Sequence, residues 1–135
     1  MAPPERLFRA LGDRTRLRII NLLARRSLCV CDIQRILGQP QPSVSRHLAL
    51  LKSAGLIGDR RDGMRTFYAL TTWGGPLARG VLSAMRGHLA VEGDYLRDLE
   101  ELERLRARGD CHEQPASWRR SGHTRRARGE SLIEA

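Results

Sequence analysis

The residues in this chain whose chemistry goes beyond packing are three cysteines and a few histidines and carboxylates. Cys29 and Cys31 stand one residue apart in "SLCVCDIQ", and Cys111 stands in "DCHEQ" ahead of His112 and Glu113. Thiolates are soft donors that suit soft, thiophilic ions. Residues two apart in a regular α-helix point about 200° away from each other, so both sulfurs converge only if one lies outside the helix. The sequence provides for this. Cys29 falls at the capping position before "VCDIQRILG", where dihedrals are non-helical, while Val30 and Cys31 open the first turn and Asp32 favours the helix N-terminus electrostatically. The positive helix end is also expected to lower the thiol pKa values. Other readings attach to the same residues: small buried hydrophobes, redox-sensing thiols, or the thiols of a small enzyme. The last lacks a Cys-x-x-Cys within a βαβ pattern and any base constellation, and no enzyme is expected. His112, Glu113 and His123 form a harder, zinc-like alternative.

The elements that position these residues belong to a chain of 135 residues with 24 Lys and Arg against 15 Asp and Glu, a net charge of +9. Lys52 is the only lysine. Such a balance favours a polyanionic partner, because phosphate neutralisation releases counterions and arginine grips phosphate bidentately. The length fits one domain with a working core. No segment approaches the roughly 18 to 20 apolar residues of a membrane span, and "MAPPERLFRALGD" has no apolar run of signal-peptide type. A cytoplasmic location without a membrane role is expected, and the odd number of cysteines reads as free thiols.

Residues 4–11 make a short amphipathic segment closed by Gly12. Asp13 then caps "RTRLRIINLLARR", with Leu17, Ile20 and Leu23 along one face. The third helix, ended by Gly38, turns Ile33, Ile36 and Leu37 inward. After the "QPQP" turn, "PSVSRHLALLKSAG" carries a stripe of Val44, Leu48 and Leu51 and ends at Gly55. "LIGDRRDGMRTFYAL" reads as a hairpin around Asp62-Gly63. From Gly75 onward Leu77, Val81, Met85, Leu89, Leu96, Leu99, Leu102 and Leu105 recur at helical steps, with Gly80, Gly87 and Gly93 able to bend or divide the helix. That stripe exceeds what a small core needs and points to a homodimer. Residues 1–108 form the folded unit, and residues 109–135 read as a basic, flexible tail in which Arg119, Arg120, Arg125, Arg126 and Arg128 add weak electrostatic help.

Two short helices joined by a tight turn, the second polar outside and followed by a basic hairpin, predict a winged helix-turn-helix: mainly α with a small β-hairpin. Gln41, Ser43, Ser45, Arg46 and His47 are then the candidate readers of base edges in double-stranded DNA, and Arg60, Arg61 and Arg65 the candidate wing contacts. Arginines on an outer helix face or edge strand also serve solubility. It is the combined order in a basic chain that selects operator DNA as partner.

Four ordered stretches, "FRALGDRTRLRIINLL", "LCVCDI", "PSVSRHLALLKSAGLI" and "RRDGMRTFYAL", together resemble the ArsR/SmtB family of bacterial metal- and metalloid-responsive repressors. The likeness runs in register from residue 5 to residue 72, and the helix beyond matches in type only. The resemblance implies a winged-helix homodimer, joined through its first and last helices, that occupies its operator and leaves when the inducer binds. In the arsenic-responsive members "LCVCD" is the sensing motif, and a third cysteine completes a trigonal thiolate site for As(III) or Sb(III). Several carry it three residues after the second cysteine, where this chain has Gln34. Members that sense cadmium or lead add an N-terminal cysteine, and none precedes Cys29. The zinc ligands of the final helix are not evident, since His88 and Asp94 lack the spacing. The remaining thiol, Cys111, is expected to supply the third sulfur beside Cys29 and Cys31, from the same chain or across the dimer, the other reading being a tail cysteine with no role. Three thiolates favour a three-coordinate metalloid over a tetrahedral ion. As(III) or Sb(III) is thus the expected inducer, with no permanent cofactor; the alternatives are a soft divalent metal (Cd, Pb or Zn) or a thiol redox signal. An ion drawing the pair together is expected to distort the third helix and shift the recognition helix packed on it.

Overall fold

In the computed structural model, residues 3–71, 75–86, 88–91, 93–116 and 132–133 are described. Helix α1 spans Pro4–Leu11 with proline in its first turn, where the missing N–H costs nothing. Asp13 caps α2 (Arg14–Leu23), its carboxylate accepting from the Arg16 backbone N–H at 3.0 Å. Helix α3 (Val30–Leu37) ends at Gly38, whose φ of 67° is the left-handed conformation that favours glycine there. Helix α4 (Gln41–Ser53) follows at once. The core forms where Ile19, Leu22 and Leu23 of α2, Ile33 and Leu37 of α3, and Val44, Leu48 and Leu51 of α4 meet. Helices α3 and α4 therefore share one buried wall, and a shift of one is felt by the other.

The wing is an antiparallel hairpin of β2 (Ile57–Asp62) and β3 (Arg65–Thr71). Asp62 pairs with Arg65, so the two-residue loop is Gly63-Met64, one residue later than Asp62-Gly63, and Gly63 takes a φ of 60°. Sequence patterning did not foresee β1 (Leu28–Cys29), which pairs antiparallel with β3, Leu28 opposite Tyr68 and Cys29 opposite Phe67. A further two-residue strand, β4 (Leu132–Ile133), pairs with β3 at Leu70 and Thr71.

The long C-terminal pattern is divided: α5 (Pro76–Arg86), a 3-10 turn at Leu89–Val91, and α6 (Gly93–Ala107). Gly80 does not interrupt α5; the division falls between Arg86 and Gly93. Helix α6 lies against α2, where Arg18 donates twice to Asp98 at 2.8 and 2.9 Å and Asn21 donates to the Tyr95 carbonyl at 3.1 Å. The Asp98 partnership holds the Arg18 pKa above its usual value. Phe8, Leu77, Val91 and Leu96 remain exposed on α1, α5, the 3-10 turn and α6. No described helix is long and apolar enough to cross a membrane.

Because Asp98 is buried, truncating it strands a poorly hydrated guanidinium. Asp98→Ala should lower the unfolding free energy by about 3 kcal/mol in urea titrations at fixed protein concentration, and combining Arg18→Met with Asp98→Leu should recover most of it. A loss under about 0.5 kcal/mol, typical of an exposed pair, would contradict this role.

Candidate metal centre and nucleic-acid interface

Cys29 occupies two roles at once. It is the last residue of β1 and the N-cap of α3, with extended dihedrals (φ −78°, ψ 159°), as its position before "VCDIQRIL" predicts. Cys31 is already inside the helix. The kink between them brings the two sulfurs to 2.7 Å, with Phe67 of the wing strand closing one side. Next to the pair stands Asp32, fully buried, a residue that sequence reading treated only as a helix-end charge.

The other side of the centre comes from beyond α6. Residues 110–114, grouped by composition with a flexible tail, instead pack across the start of α3. The backbone N–H of His112 donates to Asp32 Oδ2 at 2.8 Å, and His112 Nδ1 lies 3.1 Å from Asp32 Oδ1. That nitrogen is also 3.6 Å from each sulfur of the pair. Glu113 meets Arg26 at 2.6 Å, and Arg35 donates to the Asp110 carbonyl at 3.0 Å. One ligand atom from each of Cys29, Cys31, Asp32 and His112 lies within 4.8 Å of all the others. Cys111 is buried beside this group without belonging to it, its sulfur 3.9 Å from the His112 carbonyl. Glu113 is held by Arg26, and His123 lies outside the described residues, as do Arg119, Arg120, Arg125, Arg126 and Arg128. The sequence names His112 only in a harder set with Glu113 and His123; the signal tying it to the cysteine pair is its place next to the third cysteine.

On α4, Gln41, Ser45 and Arg46 are exposed on one outer face. Ser43 is half-buried and donates to Gln39 Oε1 at 3.3 Å, and Gln39 in turn donates to Thr15. His47 turns towards α2: Arg16 Nη1 lies 3.1 Å from its Nδ1, and Asp13 is 3.8 Å away. Burial lowers the His47 pKa, Arg16 and Arg46 adding to the effect against Asp13, and because a guanidinium can only donate, His47 Nδ1 accepts from Arg16. In this conformation His47 fastens the turn rather than facing outward. Arg61 and Arg65 are exposed on the wing and Arg60 is half-buried, opposite Phe67 in the ladder. Met64 projects from the tip.

A family model described as bacterial regulatory protein, arsR family, matches residues 13–58. The arsenic resistance transcriptional regulator ArsR1 of Pseudomonas putida is 37% identical over 103 residues, spanning 73% of this chain and 80% of that protein. The arsenical resistance operon repressor of Escherichia coli is 49% identical over 69 residues, 50% of this chain and 59% of the repressor. Among solved structures, the homodimeric winged helix-turn-helix DNA-binding domain of a possible ArsR-family transcriptional regulator from Mycobacterium bovis superposes with a TM-score of 0.54 at 29% identity, covering 66% of this chain and 83% of that one.

The electrostatics of the thiols overturn one expectation. Burial, reinforced by the neighbouring Cys31 thiol and the Asp32 charge, pushes Cys29 up to about 12, and burial with the same Asp32 charge pushes Cys111 up to about 11. The helix N-terminus does not prevail, because Cys29 is sealed against Phe67 with a carboxylate at its back. The sign for stability follows. A thiol held protonated by the fold contributes fully below its unfolded value of 9.0 and loses that contribution as pH rises towards about 12. Thermal unfolding under reducing conditions should therefore weaken between pH 9 and 11, and Cys29→Ser should flatten that decline. An identical decline in the variant would place its origin elsewhere.

Proposed function

Because this chain belongs to the arsR family of bacterial regulatory proteins and is a transcriptional regulator of that family, we propose that it is a cytoplasmic homodimeric repressor that leaves its operator on capturing a trivalent metalloid, arsenite or antimonite. The observation that carries this reading is the placement of the Cys29 and Cys31 sulfurs, 2.7 Å apart, where the wing strand meets the start of α3. Relatives named for arsenic resistance support the choice of ion. Arsenite suits protonated thiols. In As(OH)3 each As–O bond exchanges for an As–S bond, and each thiol proton leaves with hydroxide as water, so three thiols give three waters and no oxidant is needed. Cys29 and Cys31 supply two sulfurs and Cys111 the third, from the same chain, since residues 110–114 already lie across α3.

Gln41, Ser45 and Arg46 meet base edges in the major groove, with Ser43 at the helix start and His47 holding α4 on α2. Arg60, Arg61 and Arg65 reach the backbone from the wing. A homodimer places two such units on half-sites about 34 Å apart, and the apolar residues left exposed on α1, α5 and α6 supply a face for it. Bonding one ion to both sulfurs moves β1 and α3 together. The recognition helix shares its buried wall with α3, and the wing shares β3 with β1, so both DNA-contacting parts lose their spacing.

The test is fluorescence anisotropy on a duplex selected from a randomised pool, titrated with arsenite under reducing conditions. Parent protein should dissociate. Cys29→Ser and Cys31→Ser should bind the duplex but ignore arsenite, and Cys111→Ser should need at least about tenfold more arsenite, a change of roughly 1.4 kcal/mol. Arg46→Ala should cost about 1–3 kcal/mol of specific binding and leave nonspecific binding nearly unchanged. Release by arsenite from the Cys29 or Cys31 variants would contradict the reading.

A further inference from the structure

We propose that Arg16 is a positioning residue for operator recognition: its guanidinium locks the recognition helix α4 to the end of α1, and so fixes the distance between the half-sites that two copies of the chain read at once. The inference rests on the reading of the chain as a homodimeric DNA-binding regulator, and it assigns the control of half-site spacing to one side chain.

Arg16 stands at the third position of α2, after the Asp13 cap, in a first turn that holds Arg14 as well and no acid. A cation there is opposed by the positive end of the helix. The side chain leaves that end by crossing to α1, whose last carbonyls the helix ladder leaves open. Arg16 Nε donates to the Ala10 carbonyl at 2.6 Å and Nη2 to the Arg9 carbonyl at 3.2 Å. The negative end of α1 favours the same cation that the start of α2 opposes. The remaining arm, Nη1, donates to His47 Nδ1 on α4 at 3.1 Å, since a guanidinium can only donate. The Arg16 backbone N–H is held by Asp13, whose carboxylate also lies 3.8 Å from His47. The end of α1, the start of α2 and the middle of α4 thus meet at one guanidinium.

Three bonds from one planar fork run in fixed directions, so they set both the separation and the angle of α1 and α4. The rest of the α4 seat differs in kind. Val44, Leu48 and Leu51 pack on an apolar wall, and burial of that type is non-directional. Gln39 donates to Thr15 at 3.1 Å, which ties the turn before α4 to α2 but not to α1. His47 lies between Arg46, exposed on the outer face, and the buried Leu48, so the bond acts at the turn of α4 that carries a base reader.

Helix α1 carries this joint outward. Leu7, Ala10 and Leu11 seat it on the core, while Phe8 is 53% exposed on the face offered to a second copy. A homodimer joined there holds its two α4 helices at a separation that depends on the angle between α1 and α4 in each copy. The duplex is exacting about that separation. One added base pair moves a half-site by about 3.4 Å and turns it by about 35° round the axis. A joint that let α4 swivel would accept neighbouring spacings, and the Arg16 fork removes that freedom.

The test uses the reduced, inducer-free full-length protein with the duplex selected from the randomised pool, and with versions carrying one base pair more or one fewer between the half-sites. Fluorescence anisotropy gives, for each variant, the ratio of its affinities for the selected and the altered spacing. A misfolded fraction lowers both affinities and leaves the ratio alone, so poor folding does not mimic the effect. The parent should lose at least about tenfold on either altered duplex. His47→Leu removes the acceptor on α4 while the α1 carbonyls stay bonded, and Arg16→Lys keeps the charge without the fork; both should lose less than about threefold. His47→Gln offers Arg16 an oxygen acceptor and should return the ratio to within about twofold of the parent's. Parent-like ratios in both His47→Leu and Arg16→Lys, or a parent indifferent to spacing, would overturn the role of Arg16 and leave the homodimeric regulator standing. Binding of the parent to the selected duplex as a monomer would overturn the homodimeric reading and this inference with it.

Discussion

Two backbone residues, Leu28 and Cys29, pair with Tyr68 and Phe67 of the wing strand, and the rest of the centre depends on that short ladder. It holds Cys29 extended at the point where the helix begins, so the thiol can face Cys31 instead of following the helical rotation away from it. The same rung continues across the sheet. Cys29 stands opposite Phe67 and Phe67 opposite Arg60, so the sulfur that would bind an ion is one residue pair removed from a wing arginine.

From that constraint the proposed coupling between ion capture and DNA contact follows with few parts. The start of α3 cannot move without disturbing Ile33 and Leu37, which pack on Val44, Leu48 and Leu51 of α4. Close-packed interiors transmit such shifts because they have little void to absorb them. On the other side, His47 and Arg16 hold α4 against α2, while Arg18 and Asp98 hold α6 there. Helix α4, the proposed recognition helix, thus packs on α3 on one side and is fastened to α2 on the other. An inducer needs only a few kcal/mol of preference for the shifted state to change the population on DNA.

Much of this architecture is legible in the sequence because it is written in local signals. Asp13 as a cap, Gly38 in a left-handed conformation, the prolines before α4 and the apolar stripes of α3 and α4 each act within a few residues. The cysteine pair is legible for the same reason. What the sequence concealed is long-range. Strand β1 has only two residues and no alternation to detect, and it exists because β3 offers an edge. Residues 110–114 look like solvated tail by composition, and they are ordered by a carboxylate about eighty positions away, Asp32, which accepts from the His112 backbone. The Cys29 pKa rises instead of falling because burial against Phe67 outweighs the helix end, a balance that depends on tertiary neighbours.

The central claim is that an ion at Cys29 and Cys31 is felt in both α3 and the wing. Hydrogen–deuterium exchange of the reduced protein, free of DNA, with and without arsenite, tests it most directly. The account predicts altered backbone protection in residues 28–37 and in residues 57–71 together, with α6 little changed. Changes confined to α5 and α6, with the wing and the start of α3 unaffected, would contradict it.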